Sequence, residues 1–454
     1  MTALFCEWAY LPDGWRADTR VEIGADGRIA AVTPETTEQP GDVRLTNRLI
    51  LPAATNLHSH AFQRAMAGHA ERKSAWEDSF WTWREAMYGF VERLTPGDVE
   101  AIAAFAYMEM LEAGYAAVGE FHYLHHAPGG ASYEDPAEMA HRVAAAAEAV
   151  GIGLTLLPVL YSRGGVRDEP LNARQNRFGC DIDRYAALHG AIRLRAPDAT
   201  LGVTAHSLRA VRPEDLEPLA RDFGDGPIHI HVAEQMAEVL AVEAAMGARP
   251  VAWLLDNADL DARWCLIHAT HMTPAETEEL AASGAVAGLC PVTEANLGDG
   301  IFDGARYIAR GGTYGIGTDS HVRIGLTEEL RVLEYSQRLR DLRRTVLRTD
   351  PGSIGAALYG EVLRGGAQAV GRESGALEPG SWADIVALDA AAIVPFVPGS
   401  DHWLDHWIFV AGDAAIRDVW SAGRHRVTDG RHVRRDEIEA RFKARMAGLM
   451  RDAA

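Results

Sequence analysis

Leu51-Pro52-Ala53-Ala54-Thr55-Asn56-Leu57-His58-Ser59-His60-Ala61-Phe62-Gln63-Arg64 is the stretch whose reading decides the fold. It is entered from the apolar run Leu49-Ile50-Leu51-Pro52. In a β-strand, residues two apart share a face, so His58 and His60 aim two imidazoles at one point. Imidazole is the commonest protein ligand for zinc and similar metals. The plain alternative is two histidines at a strand end with no further role, since 18 histidines in 454 residues produce such a pair easily. His231, His268 and Asp319 recur at the ends of similar strands and favour the first reading.

Outward from this stretch, residues from about 51 to 345 alternate apolar, β-rich segments with longer, Ala-rich, helix-like ones. The strand candidates are 49–57, 116–123, 153–161, 200–206, 227–232, 264–268, 285–290 and 314–319. Helical stretches between them include 98–113, 136–150, 213–223, 274–282 and 326–343, several opening on Pro or an acid as helix N-termini prefer. Eight βα units predict an α/β fold, a TIM-type (β/α)8 barrel, with a doubly wound open sheet as the alternative.

The two chain ends read differently. Residues 1–50 are short strands with turns at Asp13-Gly14 and Asp26-Gly27. Residues 375–386 read as a turn feeding a strand and 419–430 as a hairpin. Together the ends predict a small discontinuous β-sandwich, 1–50 with 371–434, around a barrel at 51–370. A closing helix is expected at 435–454, which is rich in Arg, Glu and Ala.

A chain that is 48% hydrophobic and 24% charged has ordinary globular composition. Its net charge of −20 argues against nucleic acid and anionic membrane surfaces as partners. An anionic substrate is still allowed, because local arginines can override the global field. The four cysteines, Cys6, Cys180, Cys265 and Cys290, form no CxxC pair and fit a reducing cytoplasm. The N-terminus has no basic and apolar leader pattern, and no apolar run reaches about 18 residues, so no membrane span is expected.

Active sites of such barrels sit at the C-terminal ends of the strands. His58 and His60 end strand 1, His206 strand 4, His231 strand 5, His268 strand 6 and Asp319 strand 8. A single buried histidine is ordinarily a hydrogen-bonded core residue; five converging by topology point to a site.

The marks His58-Ser59-His60, His231-Val232-Ala233-Glu234, His268 and Gly317-Thr318-Asp319-Ser320 resemble the amidohydrolase superfamily. The run from Gly375 to Val386 belongs to the same pattern, so the resemblance covers nearly the whole chain. It implies that His58, His60, His231 and Asp319 hold one divalent metal. Two-metal members usually carry a bridging Lys at the end of strand 4, where this chain has Thr204-Ala205-His206-Ser207. Three imidazoles and one carboxylate favour zinc, with iron as the alternative, and the ion lowers the pKa of bound water toward about 7. Glu234, three residues after His231, is placed to take the water proton and pass it to a departing nitrogen. Its alternative is a helix N-terminal carboxylate. His268 is expected to polarise the attacked group, and Asp319 to share the proton while ligating.

Residues 77–88 read EDSFWTWREAMY: Asp78 or Ser79 can cap a helix carrying Trp81, Arg84 and Tyr88. Arg84 among those aromatics needs a partner, either a substrate or a structural acid such as Glu120. With Gln63, Tyr123, His206 and Arg209 it makes a donor-rich set suited to carboxylates. The runs from Asn56 to Gly68 and from Ser79 to Arg84 resemble, within the superfamily, the N-formimino-L-glutamate deiminases of histidine degradation. In that family the positions matching Gln63, Arg84, Tyr123, His206 and Arg209 hold the glutamate moiety. The resemblance implies hydrolysis of N-formimino-L-glutamate to N-formyl-L-glutamate and ammonia. The expected partners are a small dianionic, amino-acid-derived substrate and a second copy of the chain in a homo-oligomer, a dimer. The rival readings are a deaminase of an aromatic base such as guanine, and a non-catalytic scaffold that keeps only the barrel.

Overall fold

The computed structural model describes residues 2–69, 71, 79–393 and 399–451. The chain opens with four strands, β1 (Thr2–Leu11), β2 (Gly14–Ile23), β3 (Ile29–Thr33) and β4 (Val43–Pro52). It then enters a parallel set: β5 (Ala54–Ser59), β6 (Tyr115–His122), β7 (Gly153–Leu160), the short β8 (Thr200–Leu201) leading into β9 (Val203–Ser207), β10 (Ile228–Val232), β11 (Trp264–His268), β12 (Val286–Leu289) and β13 (Thr313–Ile316). Neighbours pair in sequence order from β5 to β13, β8 pairing only with β7. A parallel bridge between Ser59 and Asp319 joins the first strand to the segment after the last. That joint makes the sheet a barrel and disposes of the open-sheet alternative. Every residue of β5, β6, β7, β10, β11 and β12 is buried, as expected when helices cover a parallel sheet on one side and side chains fill it on the other.

The chain then returns to the opening strands through β14 (Ile385–Asp389), β15 (Ile416–Ser421), β16 (Arg424–Thr428) and β17 (Arg431–His432). One hydrogen-bonded sheet results, in the order β17-β16-β15-β14-β4-β1-β2-β3. Its pairs are antiparallel apart from β1 with β4. Leu4, Val21, Ile50, Ile385 and Trp420 share its core. Buried Arg372 ties the sheet to the barrel, bonding Asp384 at 2.7 Å and Asp198 at 3.3 Å. The closing helix is Arg435–Arg451; residues 452–454 lie outside the described residues. It packs on the barrel helix Pro96–Glu112 through a Phe105–Phe442 stack at 4.1 Å. Among the described residues, no helix is long and apolar enough to cross a membrane.

Two strand expectations need correction. The segment 49–57 is two strands: Ile50 and Leu51 pair with Ala387 and Val386 of β14, and β5 begins at Ala54. Both halves are buried on both faces, so no polar residue marks the break. The last barrel strand stops at Ile316, three residues short of Asp319. Beyond it the N–H groups of Thr318 and Asp319 both turn to the His58 carbonyl, at 3.2 and 3.0 Å, and Asp319 takes φ +45°.

Gly317 makes that turn feasible. A Cβ there would lie 2.7 Å from the His58 carbonyl oxygen and 2.8 Å from its nitrogen, both backbone atoms. Gly317→Ala is therefore expected to cost about 1–3 kcal/mol, the usual range for overpacking a closed interior. Urea unfolding measures it; an unchanged midpoint would mean that the seam is looser than this contact implies.

Candidate metal and catalytic site

The two ends of the barrel sheet bring four donors together. The ligand atoms of His58, His60, His231 and Asp319 all lie within 4.8 Å of one another, and all four residues are buried. Asp319 Oδ1 is 3.3 Å from both His58 Nε2 and His60 Nε2. His60 Nδ1–H donates to the Phe121 carbonyl at 2.9 Å, and His231 Nδ1–H to the His206 carbonyl at 3.2 Å. Those bonds leave the Nε2 lone pairs of His60 and His231 facing inward, as backbone carbonyls do around metal-ligating histidines. His231 Nε2 stands 3.1 Å from His58 Nε2, and burial pushes His58 down to about 3, so at neutral pH His58 is a neutral imidazole and not a cation. Converging lone pairs beside a carboxylate fit a cation, and an N3O set suits zinc. Against the cost of burial, His58 and the other histidines hold Asp319 below the usual carboxylate range.

Glu234 and His268 border this set. Burial first, and then Asp319 and Glu238, raise Glu234 to about 7. It precedes the helix Met236–Met246 and lines the cleft, so it is more than a helix-end charge. Its Oε1 is 3.6 Å from His268 Nε2, while His268 Nδ1 meets Glu294 Oε1 at 3.2 Å. Burial would lower His268, but Glu234, Glu294 and Asp319 together push it up to about 10. Ala233, His268, Ala269, Asp319 and His321 all have positive φ. Such non-glycine outliers cluster where side chains are aimed rather than packed.

One cleft at this end of the barrel is lined by His60, Gln63, Arg84, Tyr123, His206, Arg209, His231, Glu234, His268 and Asp319. His58 lies beneath it, fully buried. Each residue singled out in the sequence is therefore at one place. A separate groove lined by His141, Arg142, Arg193 and Arg195 contains none of them. Arg84 rides on the helix Phe80–Val91, which Ser79 caps with its N–H on Thr82 Oγ1 at 2.9 Å; Asp78 lies outside the described residues. Fully buried Arg177 anchors the other end of that helix, donating to the Val91 and Leu94 carbonyls. The Arg84 guanidinium lies 5.1 Å from the Tyr88 ring and 5.6 Å from Trp81, and Arg209 approaches Trp81 to 5.9 Å. Gln63 donates to the Tyr123 hydroxyl at 2.8 Å. Gln63 Oε1 and Arg209 Nε are buried with no partner among the described residues. Burial, Arg209 and Arg84 hold His206 well below its usual pKa, so it is a neutral imidazole between two cations.

Glu120 is not the partner of Arg84. It accepts from Ser59 Oγ at 2.5 Å and from the Ala61 N–H at 2.8 Å. These bonds belong to a chain that sequence reading missed. Asn56 donates to Thr318 Oγ1 (2.7 Å), and the Thr318 hydroxyl to His321 Nδ1 (2.8 Å). His321 Nε2–H then donates to Ser59 Oγ (2.9 Å), and Ser59 to Glu120. Burial keeps His321 neutral, which this direction of donation requires. The only signal was position: Asn56 and Ser59 flank His58, and His321 follows Asp319 by two. His321→Leu strands one bond each of Thr318 and Ser59 and should destabilise the protein by about 2–3 kcal/mol. A urea midpoint equal to that of the unmodified protein would show that the chain does not hold the seam.

Comparison with known proteins agrees with this geometry. A family model described as the amidohydrolase family matches residues 49–426. Another, described as the N-terminal domain of formimidoylglutamate deiminase HutF, matches residues 1–45. A formimidoylglutamate deiminase from Pseudomonas aeruginosa is 50% identical over 456 positions, covering 100% of both chains. A 5-methylthioadenosine/S-adenosylhomocysteine deaminase from Natronomonas pharaonis is 28% identical, over 85% of this chain and 83% of its own. The crystal structure of an amidohydrolase from Brucella melitensis is 48% identical with a TM-score of 0.94, covering 99% of this chain and 100% of that one. An adenosine deaminase from Xanthomonas campestris with bound zinc shares the fold at a TM-score of 0.81 and 20% identity, covering 99% of this chain and 98% of that one. With most of its length matched by the family model and all of it by a half-identical relative, the chain belongs to the amidohydrolase family.

Proposed function

We propose that this chain is a metal-dependent hydrolase of carbon–nitrogen bonds that converts N-formimino-L-glutamate to N-formyl-L-glutamate and ammonia. The observation that carries the reading is one cleft with a four-donor N3O set at its floor and two guanidiniums at its mouth. The full-length likeness to a formimidoylglutamate deiminase supports it. His58, His60, His231 and Asp319 would hold a single divalent ion, zinc by donor type with iron as the alternative. When bound, such an ion supplies a water acidified to near neutrality as the nucleophile.

The remaining steps belong to this chain's own residues. Arg84 and Arg209, with Gln63, Tyr123 and neutral His206, grip the two carboxylates at the mouth. That grip tethers the glutamate nitrogen outward and leaves the formimino group at the floor. Glu234 takes the proton of the attacking water, which a carboxylate raised to about 7 can both accept and return. His268 steadies the attacked group, and Asp319 shares the proton traffic. Water adds across the formimino C=N bond as Glu234 passes its first proton to the terminal nitrogen; the adduct's hydroxyl proton then moves to that nitrogen, the C–N bond breaks, and ammonia leaves as the formyl C=O forms. A planar aromatic base would want a flat apolar slot; two arginines and an imidazole do not make one. A scaffold that had lost catalysis would need none of this set.

Ammonia release from N-formimino-L-glutamate, with no release from a purine panel, tests the assignment. Net charge −20 repels a dianion, so the two arginines must supply the attraction locally. Arg84→Met or Arg209→Met should each cost on the order of 2–5 kcal/mol in kcat/KM, with metal content unchanged. Two variants that match the unmodified protein would place the carboxylates elsewhere.

A further inference from the structure

We propose that Glu294 is a positioning residue for the reaction: its carboxylate takes the hydrogen on His268 Nδ1 and so fixes that ring with Nε2 directed into the cleft. The inference rests on the reading of His268 as the group that meets the attacked carbon. Glu294 sits in the helix Pro291–Leu297, buried behind the site. It does not line the cleft, whereas His268 does.

The geometry is specific. Glu294 Oε1 accepts the Cys290 N–H at 2.9 Å and lies 3.2 Å from His268 Nδ1. An ionised carboxylate only accepts, so the imidazole hydrogen on that edge must be at Nδ1. A half-turn of the ring would set a carbon against Glu294 and take Nε2 away from Glu234, which it faces at 3.6 Å. His268 and Ala269 have φ of +70° and +46° at the strand's end, a strained conformation that persists only where the surroundings hold it. The ring leaves the strand there in a sparsely populated conformation, and a side-chain tether fixes its direction.

Two simpler accounts fall short. His268, Cys290 and Glu294 come within 4.8 Å of one another, the spacing of a second metal site. Yet the Glu294 oxygen already receives two N–H groups, and the Cys290 thiol is buried among carboxylates that disfavour the thiolate a metal needs. An acid in the first turn of a helix is favourable anyway, and the Cys290 bond expresses that. It does not explain the bond to His268.

Steady-state kinetics on metal-loaded protein tests the proposal. Glu294→Asp keeps the charge but withdraws the oxygen by one methylene. It should lower kcat about 10²-fold, the scale for a misplaced catalytic group, with KM and metal content little changed. Glu294→Gln keeps an acceptor and should restore most of the loss. In a His268→Asn background, Glu294→Asp should cause no further fall. An unchanged kcat in Glu294→Asp, or an equal fall with and without His268, would reduce Glu294 to a helix cap and overturn the proposal. Full kcat in His268→Asn alone would instead remove the role given to His268.

Proton NMR reads the bond without any substrate. A downfield Nδ1–H resonance, missing from His268→Asn, should also vanish in Glu294→Ala. Its persistence in Glu294→Ala would overturn the proposal whatever the enzyme hydrolyses.

Discussion

The His58 carbonyl oxygen accepts two N–H groups, from Thr318 and Asp319, and the site depends on that joint. It brings strand ends more than 250 residues apart in sequence to one point, beside the His60 N–H that meets the Asp319 carbonyl at 3.1 Å. Closing so long a loop is entropically costly, and non-local contacts must repay it. Part of the repayment is polar. Asn56, Thr318, His321, Ser59 and Glu120 form a chain in which each donor finds an acceptor. A fully satisfied buried network specifies one arrangement, whereas an apolar seam could slide. The same residues flank the metal-type ligands, so what closes the barrel also sets the donor geometry.

Electrostatics then divides the cleft in two. At the floor, burial strips charge from the histidines while their lone pairs converge beside Asp319. At the mouth, two guanidiniums both approach the Trp81 indole, and their charge helps keep His206 a neutral imidazole. On the proposed reading, this cationic mouth on a chain of net charge −20 is what draws in an anion and orients it. Glu234 lies between the two zones, lifted by burial to about 7, the range that the proposed role of accepting and returning a proton calls for.

The sequence revealed most where local chemistry and topology agree. The strand Trp264–His268 and the helix Pro274–Ala282 were legible to the residue, the helix because Pro274 opens it; the structure adds a capping box of Thr273 and Glu276. All the site residues named from sequence lie in or under one cleft: the histidines because a strand end is a property that patterning can find, and Gln63, Arg84 and Arg209 because the resemblance marked them. What stayed hidden were partners set by long-range packing. The break at Ala53 has no polar mark, since the last four residues of β4 and all of β5 are buried. Asp319 looked like a strand end because the turn at Gly317 is imposed by His58, on the far strand. For Arg84 the sequence left a substrate or a structural acid such as Glu120 as the partner; it stands over aromatic rings while Glu120 serves Ser59. Glu294 carried no mark in the sequence, and only the folded chain places it on His268.

The central claim concerns orientation: carboxylates held at the mouth, the formimino carbon at the floor, and Glu234 beside the nitrogen that departs. The tetrahedral intermediate has two nitrogens that could leave, and residue types alone do not choose between them. Proton NMR of a completed reaction with N-formimino-L-glutamate chooses. The account predicts the formyl resonance of N-formyl-L-glutamate, formed in step with ammonia. Glutamate and formamide as primary products would contradict it, because the substrate would then lie the other way round and Glu234 would protonate the wrong nitrogen.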